Sequence, residues 1–268
     1  MIHSLEQVFK VKATAGIAAI LVIALVLFTP TLAAFADSSY ASHPRIKIRE
    51  GTSANWAGYA AESSISSPAN GFVNSVSGSW VVPTLTCGIS NTYVATWVGI
   101  DGYSDKTVEQ TGTEQNCVGG VQNNYAWYEA YPKTSHVIVH GMIIHAGDTM
   151  SSSVTYTGHS QFQVLITDVT TGESFHHKIT IKGASRQSAE WITEAPYSGG
   201  ILPLANFGTI NFSNSQFTDN TGTTHAIDGR GAGTYDAITM NDPNGGNATP
   251  SALVDSGTSS SFSVMYSP

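Results

Sequence analysis

Thr96-Trp97-Val98-Gly99-Ile100-Asp101-Gly102, joined by a Gly-Tyr-Ser-Asp turn to Val108-Glu109-Gln110-Thr111-Gly112, decides the class of the fold. It reads as a strand, a turn and a second strand. Side chains alternate across a strand, so Trp97, Gly99 and Asp101 share one face. On the second strand Val108 and Gln110 share a face and Glu109 takes the other. Polar and aromatic groups gathered on one strand face line a groove, because a plain core face would be aliphatic. Further along, Ser188-Ala189-Glu190-Trp191-Ile192-Thr193-Glu194 has the same character. Together the two stretches predict Gln110 and Glu190 facing each other across a cleft.

Outward from there, the chain from Ser53 onward is a series of short strands separated by Gly, Ser, Asn and Asp turns. Strands are expected at Trp56–Ala60, Val73–Val82, Tyr93–Asp101, Thr107–Thr111, Tyr125–Tyr131, Val137–Ile144 and Ser152–Tyr156. Others are expected at Phe162–Val169, Ser174–Ile181, Ser188–Glu194, Gly208–Phe212, Tyr235–Met240 and Ser261–Tyr266. Asp168-Val169-Thr170-Thr171-Gly172-Glu173 has hairpin-turn chemistry. No segment after the N-terminal region keeps a 3.6-residue apolar period. Strands at this spacing without interleaved helices indicate an all-β protein, an antiparallel sandwich or barrel. With no internal repeat and no linker after Gly51, residues 52–268 are expected to form one domain.

Residues 1–36 carry the pattern of an export signal: Lys10 and Lys12, an apolar run from Gly16 to Phe28, then Pro30 and Ala34-Phe35-Ala36. The run is short for a membrane span, so a secreted protein with no stable membrane association after cleavage is expected; an uncleaved anchor is the alternative. Residues 37–51 contain Arg45, Lys47 and Arg49. They read as a solvated arm or as a pro-segment whose cations occupy an acidic cleft until it is removed. Charged residues make up only 11% of the 268, with 11 Lys+Arg against 19 Asp+Glu. That balance leaves no basic patch and argues against nucleic acid as a partner. Few cations suit an acidic medium, although solubility alone also accounts for the acidity. Cys87 and Cys117 bracket the hairpin, and in an exported chain a disulfide is expected, with two free thiols as the alternative.

Several candidates for chemistry follow. Glu190 and Glu194 share a strand face, four residues or roughly 13 Å apart, too far for a directly paired dyad. Glu129 shares a face with Tyr125, Trp127 and Tyr131, where a carboxylate is costly unless paired or protonated. Trp56, Trp97 and Trp127 with these acids resemble a binding groove more than scattered surface. No Gly-x-Ser-x-Gly elbow is present. His136, His140 and His145 fall around the Val137–Ile144 strand, His136 and His140 on one face, and His176 and His177 are adjacent. No helical His-Glu-x-x-His occurs, so no catalytic metal is expected.

An ordered set of motifs carries a family resemblance: Asn55-Trp56-Ala57-Gly58, Trp97-Val98-Gly99-Ile100-Asp101-Gly102, Glu109-Gln110-Thr111-Gly112, Trp127-Tyr128-Glu129 with Tyr131-Pro132, Ala189-Glu190-Trp191-Ile192 and Leu204-Ala205-Asn206-Phe207-Gly208. The set resembles the glutamic peptidases, the eqolisin or G1 family, in its prokaryotic branch. The resemblance implies a β-sandwich of two large antiparallel sheets, one curved into a concave substrate cleft. It implies acid endopeptidase action on polypeptides, insensitive to pepstatin and independent of metal or cofactor. It makes Gln110 and Glu190 the catalytic pair, Asp101, Glu129 and Glu114 supporting acids, and Trp56 and Trp97 groove residues. The residue types suit the chemistry: a glutamate near its reference pKa of about 4.3 works as a base where histidine is already protonated. A glutamine amide keeps its donor at any pH. A monomer is expected. The rival readings are a secreted lectin-like sandwich, and a glycosidase with two carboxylates about 5–10 Å apart.

Overall fold

The computed structural model describes residues 47–49, 51–229 and 232–268; the expected signal and most of the 37–51 segment lie outside them. The described residues contain eighteen strands and no α-helix. In chain order these are β1 (Lys47–Arg49), β2 (Thr52–Ser53), β3 (Trp56–Glu62), β4 (Val73–Val81), β5 (Thr92–Ile100), β6 (Val108–Val118), β7 (Val121–Tyr131), β8 (Thr134–Ile138) and β9 (Thr149–Gly158). There follow β10 (Gln161–Asp168), β11 (Ser174–Thr180), β12 (Ser188–Glu194), β13 (Thr209–Asp219), β14 (Thr224–Ala226), β15 (Thr234–Asn241), β16 (Asn247–Pro250), β17 (Val254–Ser256) and β18 (Ser259–Ser267).

The front sheet runs β15-β3-β12-β5-β6-β7-β8, every neighbour antiparallel. The back sheet runs β11-β10-β9-β4-β13-β18-β16, also antiparallel. One strand links them: β15 pairs with β3 over Thr234–Ile238 and with β16 at Met240 and Asn241. Between the sheets, Tyr59, Val98, Ile100 and Trp191 of the front pack with Val76, Trp80, Val154, Val164, Phe212 and Phe262 of the back. The back strands show the one-sided alternation expected when one face meets water, as in β10, where every second residue is buried. The central front strands β3 and β12 are buried at every position, so both faces are covered. Their second face belongs to a separate cluster of Trp56, Trp97, Trp127, Val108, Ile192 and Ile238.

Cys87 and Cys117 form a disulfide with Cα atoms 5.4 Å apart, at the end of the β5–β6 pair remote from Gln110. Asp168 closes the β10–β11 turn as expected, its Oδ1 accepting the Thr170 and Thr171 N–H groups. Some expectations need correction. β8 stops at Ile138, so His140 and His145 lie in the following loop and do not share a strand with His136. β6 continues to Val118 because its polar residues pair in full register with β7. The short β1, β2, β14, β16 and β17 carry no alternation to betray them. Lys47–Arg49 pairs with Thr52–Ser53 as a short strand.

Candidate active site

The register of the front sheet lines its outer face up in cross-strand rows. Ala60 of β3 pairs with Glu190 of β12, Glu190 with Gly99 of β5, Gly99 with Gln110 of β6, and Gln110 with Glu129 of β7. Gln110 and Glu190 are therefore two strand spacings apart, about 10 Å between Cα atoms. They stand side by side on one sheet, not on opposing walls. The residue between them has no side chain. A Cβ on Gly99 would come within 3.0 Å of the Gln110 Cβ and 2.9 Å of the Trp97 ring. A larger residue there would crowd Gln110 and Trp97.

Both are fully buried. Gln110 Nε2 donates to Glu129 Oε2 at 2.7 Å, while Gln110 Oε1 has no hydrogen-bond partner. Neither Glu190 oxygen has one either. Burial pushes the Glu190 carboxyl well above the ordinary range; the Ser188 hydroxyl opposes this, and the charges of Asp101, Glu62 and Asp105 reinforce it. In this covered state Glu190 does not sit near the reference value assumed from sequence.

The next row places Ile192, Trp97, Gly112 and Trp127 side by side. Gly112 has no room for a Cβ, which would meet the Thr96 carbonyl at 2.1 Å and the Trp97 Cβ at 2.5 Å. A third row holds Trp56, Glu194, Ala95, Glu114 and Tyr125. Trp56 meets Trp97 edge to face at 4.8 Å. All three expected groove tryptophans thus share the face with Gln110 and Glu190, and all three are fully buried.

The supporting acids separate. Glu129 is in the row and holds the Gln110 amide. Asp101, with φ of 72°, leaves the end of β5 and accepts the Arg186 and Gln187 N–H groups, each at 2.7 Å. It ties that end to the segment leading into β12. Burial first, then the Asp105 charge, raise its pKa to about 7, against the pull of its donors. Glu114 lies four residues along β6 from Gln110, beside the buried His136 at 3.8 Å, and His136 stacks on Trp127 at 4.9 Å. Glu109 faces the sheet interior with both oxygens unpartnered, and burial pushes it well above the ordinary range.

Two participants were not assigned from sequence. Glu194 accepts Asn55 Nδ2 at 3.1 Å and Trp97 Nε1 at 2.8 Å. Its shared face with Glu190 was legible, but its donors come from β5 and the segment before β3. Asp236, at the far end of the Gln110–Glu190 row beside Ala60, accepts the Tyr103 hydroxyl at 2.6 Å and the Gly51 N–H at 2.9 Å. No local pattern marks it. Among the described residues no group of three or more His, Cys, Asp or Glu side chains could hold a metal ion.

Comparison with known proteins gives the family and the fold. Aspergillopepsin-2 of Aspergillus niger is 31% identical over 168 residues, 53% of this chain and 59% of that protein. Scytalidopepsin B of Scytalidium lignicola is 33% identical over 125 residues, 45% of this chain and 46% of that one. The chain thus spans about half the length of these curated relatives. Scytalido-glutamic peptidase, solved with a transition state analog inhibitor, superposes with a TM-score of 0.63 at 25% identity, covering 80% of this chain and 98% of that one. The aspergilloglutamic peptidase of Aspergillus niger superposes with a TM-score of 0.54 at 26% identity, covering 66% and 99%. The model of the Peptidase A4 family matches residues 54–265, nearly the whole sandwich, and the chain belongs to that family, the glutamic peptidases or eqolisins.

Proposed function

We propose that this protein is a secreted acid endopeptidase that cuts polypeptides with Glu190 and Gln110. The observation that carries the reading is the pair of buried, unpartnered acceptor groups on either side of Gly99, in one register row. Buried polar atoms are normally satisfied, so these are groups held for a water and a peptide. Glu190 removes a proton from water as the water oxygen attacks the scissile carbonyl carbon. The carbonyl oxygen becomes an oxyanion and accepts the Gln110 N–H that Glu129 leaves unused. Glu190 then returns its proton to the amide nitrogen, the C–N bond breaks, and a carboxyl and an amine leave. Glu129 acts as the positioning residue for the Gln110 amide.

The row is buried, so the form described here is closed to substrate. An open form admits water and substrate, in this reading, and residues 37–51 are removed as a pro-segment. Contact with water then lowers the Glu190 pKa toward its reference value of about 4.3, which allows base catalysis in acid. The enzyme acts as a monomer on extended chains and uses neither metal nor cofactor.

The test is digestion of a denatured protein at pH 2–4 with pepstatin and a chelator present. Cleavage by the wild type and none by Glu190→Gln is expected. Binding to immobilised polysaccharide without proteolysis would replace this reading with the lectin-like one.

A further inference from the structure

The two sides of the catalytic row differ in chemistry. On one side, a step of two residues or about 7 Å away, stand Ile192, Trp97 and Trp127, without charge. On the other, at the same step, Val108 and Tyr131 are cross-strand partners. There a cavity of about 330 Å³ opens, walled by Val108, Tyr131, Pro132 and Gly102, with Asp105 and Lys106 at its edge. Asp105 is engaged within its own loop, accepting the Gly102 N–H at 2.8 Å and the Thr107 hydroxyl at 3.2 Å. Lys106 is exposed and forms no ion pair among the described residues.

The remaining charges around the loop point elsewhere. Asp101 takes the Arg186 and Gln187 N–H groups. Lys133 donates to the Thr180 carbonyl at 3.0 Å, and the Arg186 guanidinium to Asn74 Oδ1 at 2.6 Å. Glu109 is on the other face of β6. Asp236 is engaged by the Tyr103 hydroxyl, and the half-buried Asp105 carboxylate is turned into its own loop, so the exposed ammonium of Lys106 is the charge at the cavity edge that is free to move onto an entering side chain.

We infer that this cavity is a specificity subsite for a substrate residue next to the scissile bond, and that Lys106 makes it reject lysine and arginine and favour a carboxylate side chain. The inference rests on the reading that Gln110 and Glu190 flank the scissile bond. An extended peptide advances about 3.3 Å per residue, so a side chain beside the cut reaches a cavity 7 Å from the row. Walls of valine, tyrosine and proline take the aliphatic part of a glutamate or methionine. An ammonium group stays charged through the acid range, whereas substrate carboxylates lose their charge below about pH 4. Rejection of basic residues therefore holds at every acidic pH, and preference for acidic ones fades as pH falls.

The experiment compares kcat/KM for matched peptides carrying Met, Glu or Lys on each side of the scissile bond in turn, at pH 3 and pH 5. At one of the two positions the wild type should cut the Lys peptide about fivefold less well than the Met peptide at both pH values, the scale of one unit-charge contact across water. It should prefer Glu by a similar factor at pH 5 only. Lys106→Ala should abolish both effects, Lys106→Glu should reverse the first, and Lys106→Arg should retain both. Cleavage with preferences unmoved by these variants would overturn the subsite while leaving the peptidase reading intact. No cleavage of any peptide or of denatured protein would overturn both.

Discussion

β12 carries two glutamates, four residues apart, that strand alternation alone cannot tell apart. Glu190 and Glu194 lie on one strand and one face, both fully buried, and burial pushes both pKa values well above the ordinary range. Their surroundings differ. Glu194 receives Trp97 Nε1 and Asn55 Nδ2, so it has the partners of a structural carboxyl and braces the tryptophan wall. Glu190 has only the Ser188 hydroxyl nearby, without good hydrogen-bond geometry, and faces a glycine. A buried carboxyl without donors is expensive, and that cost makes sense where the missing partners are the reactants.

Substitutions at the two glutamates should separate these roles. The largest effect is expected from Glu190→Gln: loss of a general base lowers turnover by about 10²–10⁴ or more, read as kcat on a denatured substrate. Its melting temperature at pH 7 should not fall, because an amide removes the cost of a desolvated charge. A marked drop would make Glu190 structural and collapse the contrast. Gln110→Ala should follow, with a loss of about 10²–10³ in kcat, the worth of one oxyanion donor.

Glu194→Gln should act in the opposite sense. A single amide oxygen cannot accept both donors in the same way, and a buried donor left unpaired costs about 1–3 kcal/mol, read by denaturant unfolding. Its kcat should change far less than that of Glu190→Gln. If kcat instead collapsed as deeply, the division between chemical and bracing glutamates would fail.

pH sharpens the comparison further. Glu109, Glu190 and Glu194 are raised well above 4.5 and Asp101 to about 7. The native protein therefore holds protons that the unfolded chain releases, and stability falls as pH rises. That stability is fully present below the unfolded values near 4 and is lost as pH climbs through the folded ones. Asp219 works the other way: burial is outweighed by the Thr221 and His225 side chains and the Thr223 N–H, which hold it at about 2, so its contribution is lost only in strong acid. A higher melting temperature at pH 4 than at pH 7 is expected, and the difference should shrink in Glu190→Gln.

The smallest effect on chemistry belongs to the disulfide. Replacing Cys87 and Cys117 with serine removes a cross-link worth about 3 kcal/mol in the chain-entropy account. It lies at the end of the β5–β6 pair away from Gln110. Melting temperature should fall while kcat/KM stays within a fewfold of wild type.

Alternation along single strands was enough to identify an all-β chain and to say which side chains share a face. Trp97 with Gly99, Val108 with Gln110, Glu129 with Trp127, and Glu190 with Glu194 are all found as that parity requires. The ordered motifs were enough for the family. Parity carries no information about which strand lies beside which. Only the tertiary structure inserts β12 between β3 and β5, bringing Glu190 level with Gly99 and Gln110. It alone seals that face from water, which turns an ordinary glutamate into one with a strongly raised pKa. The reason is physical: side-chain direction follows from local backbone geometry, whereas strand neighbours and dielectric surroundings are set by contacts between residues far apart in the chain.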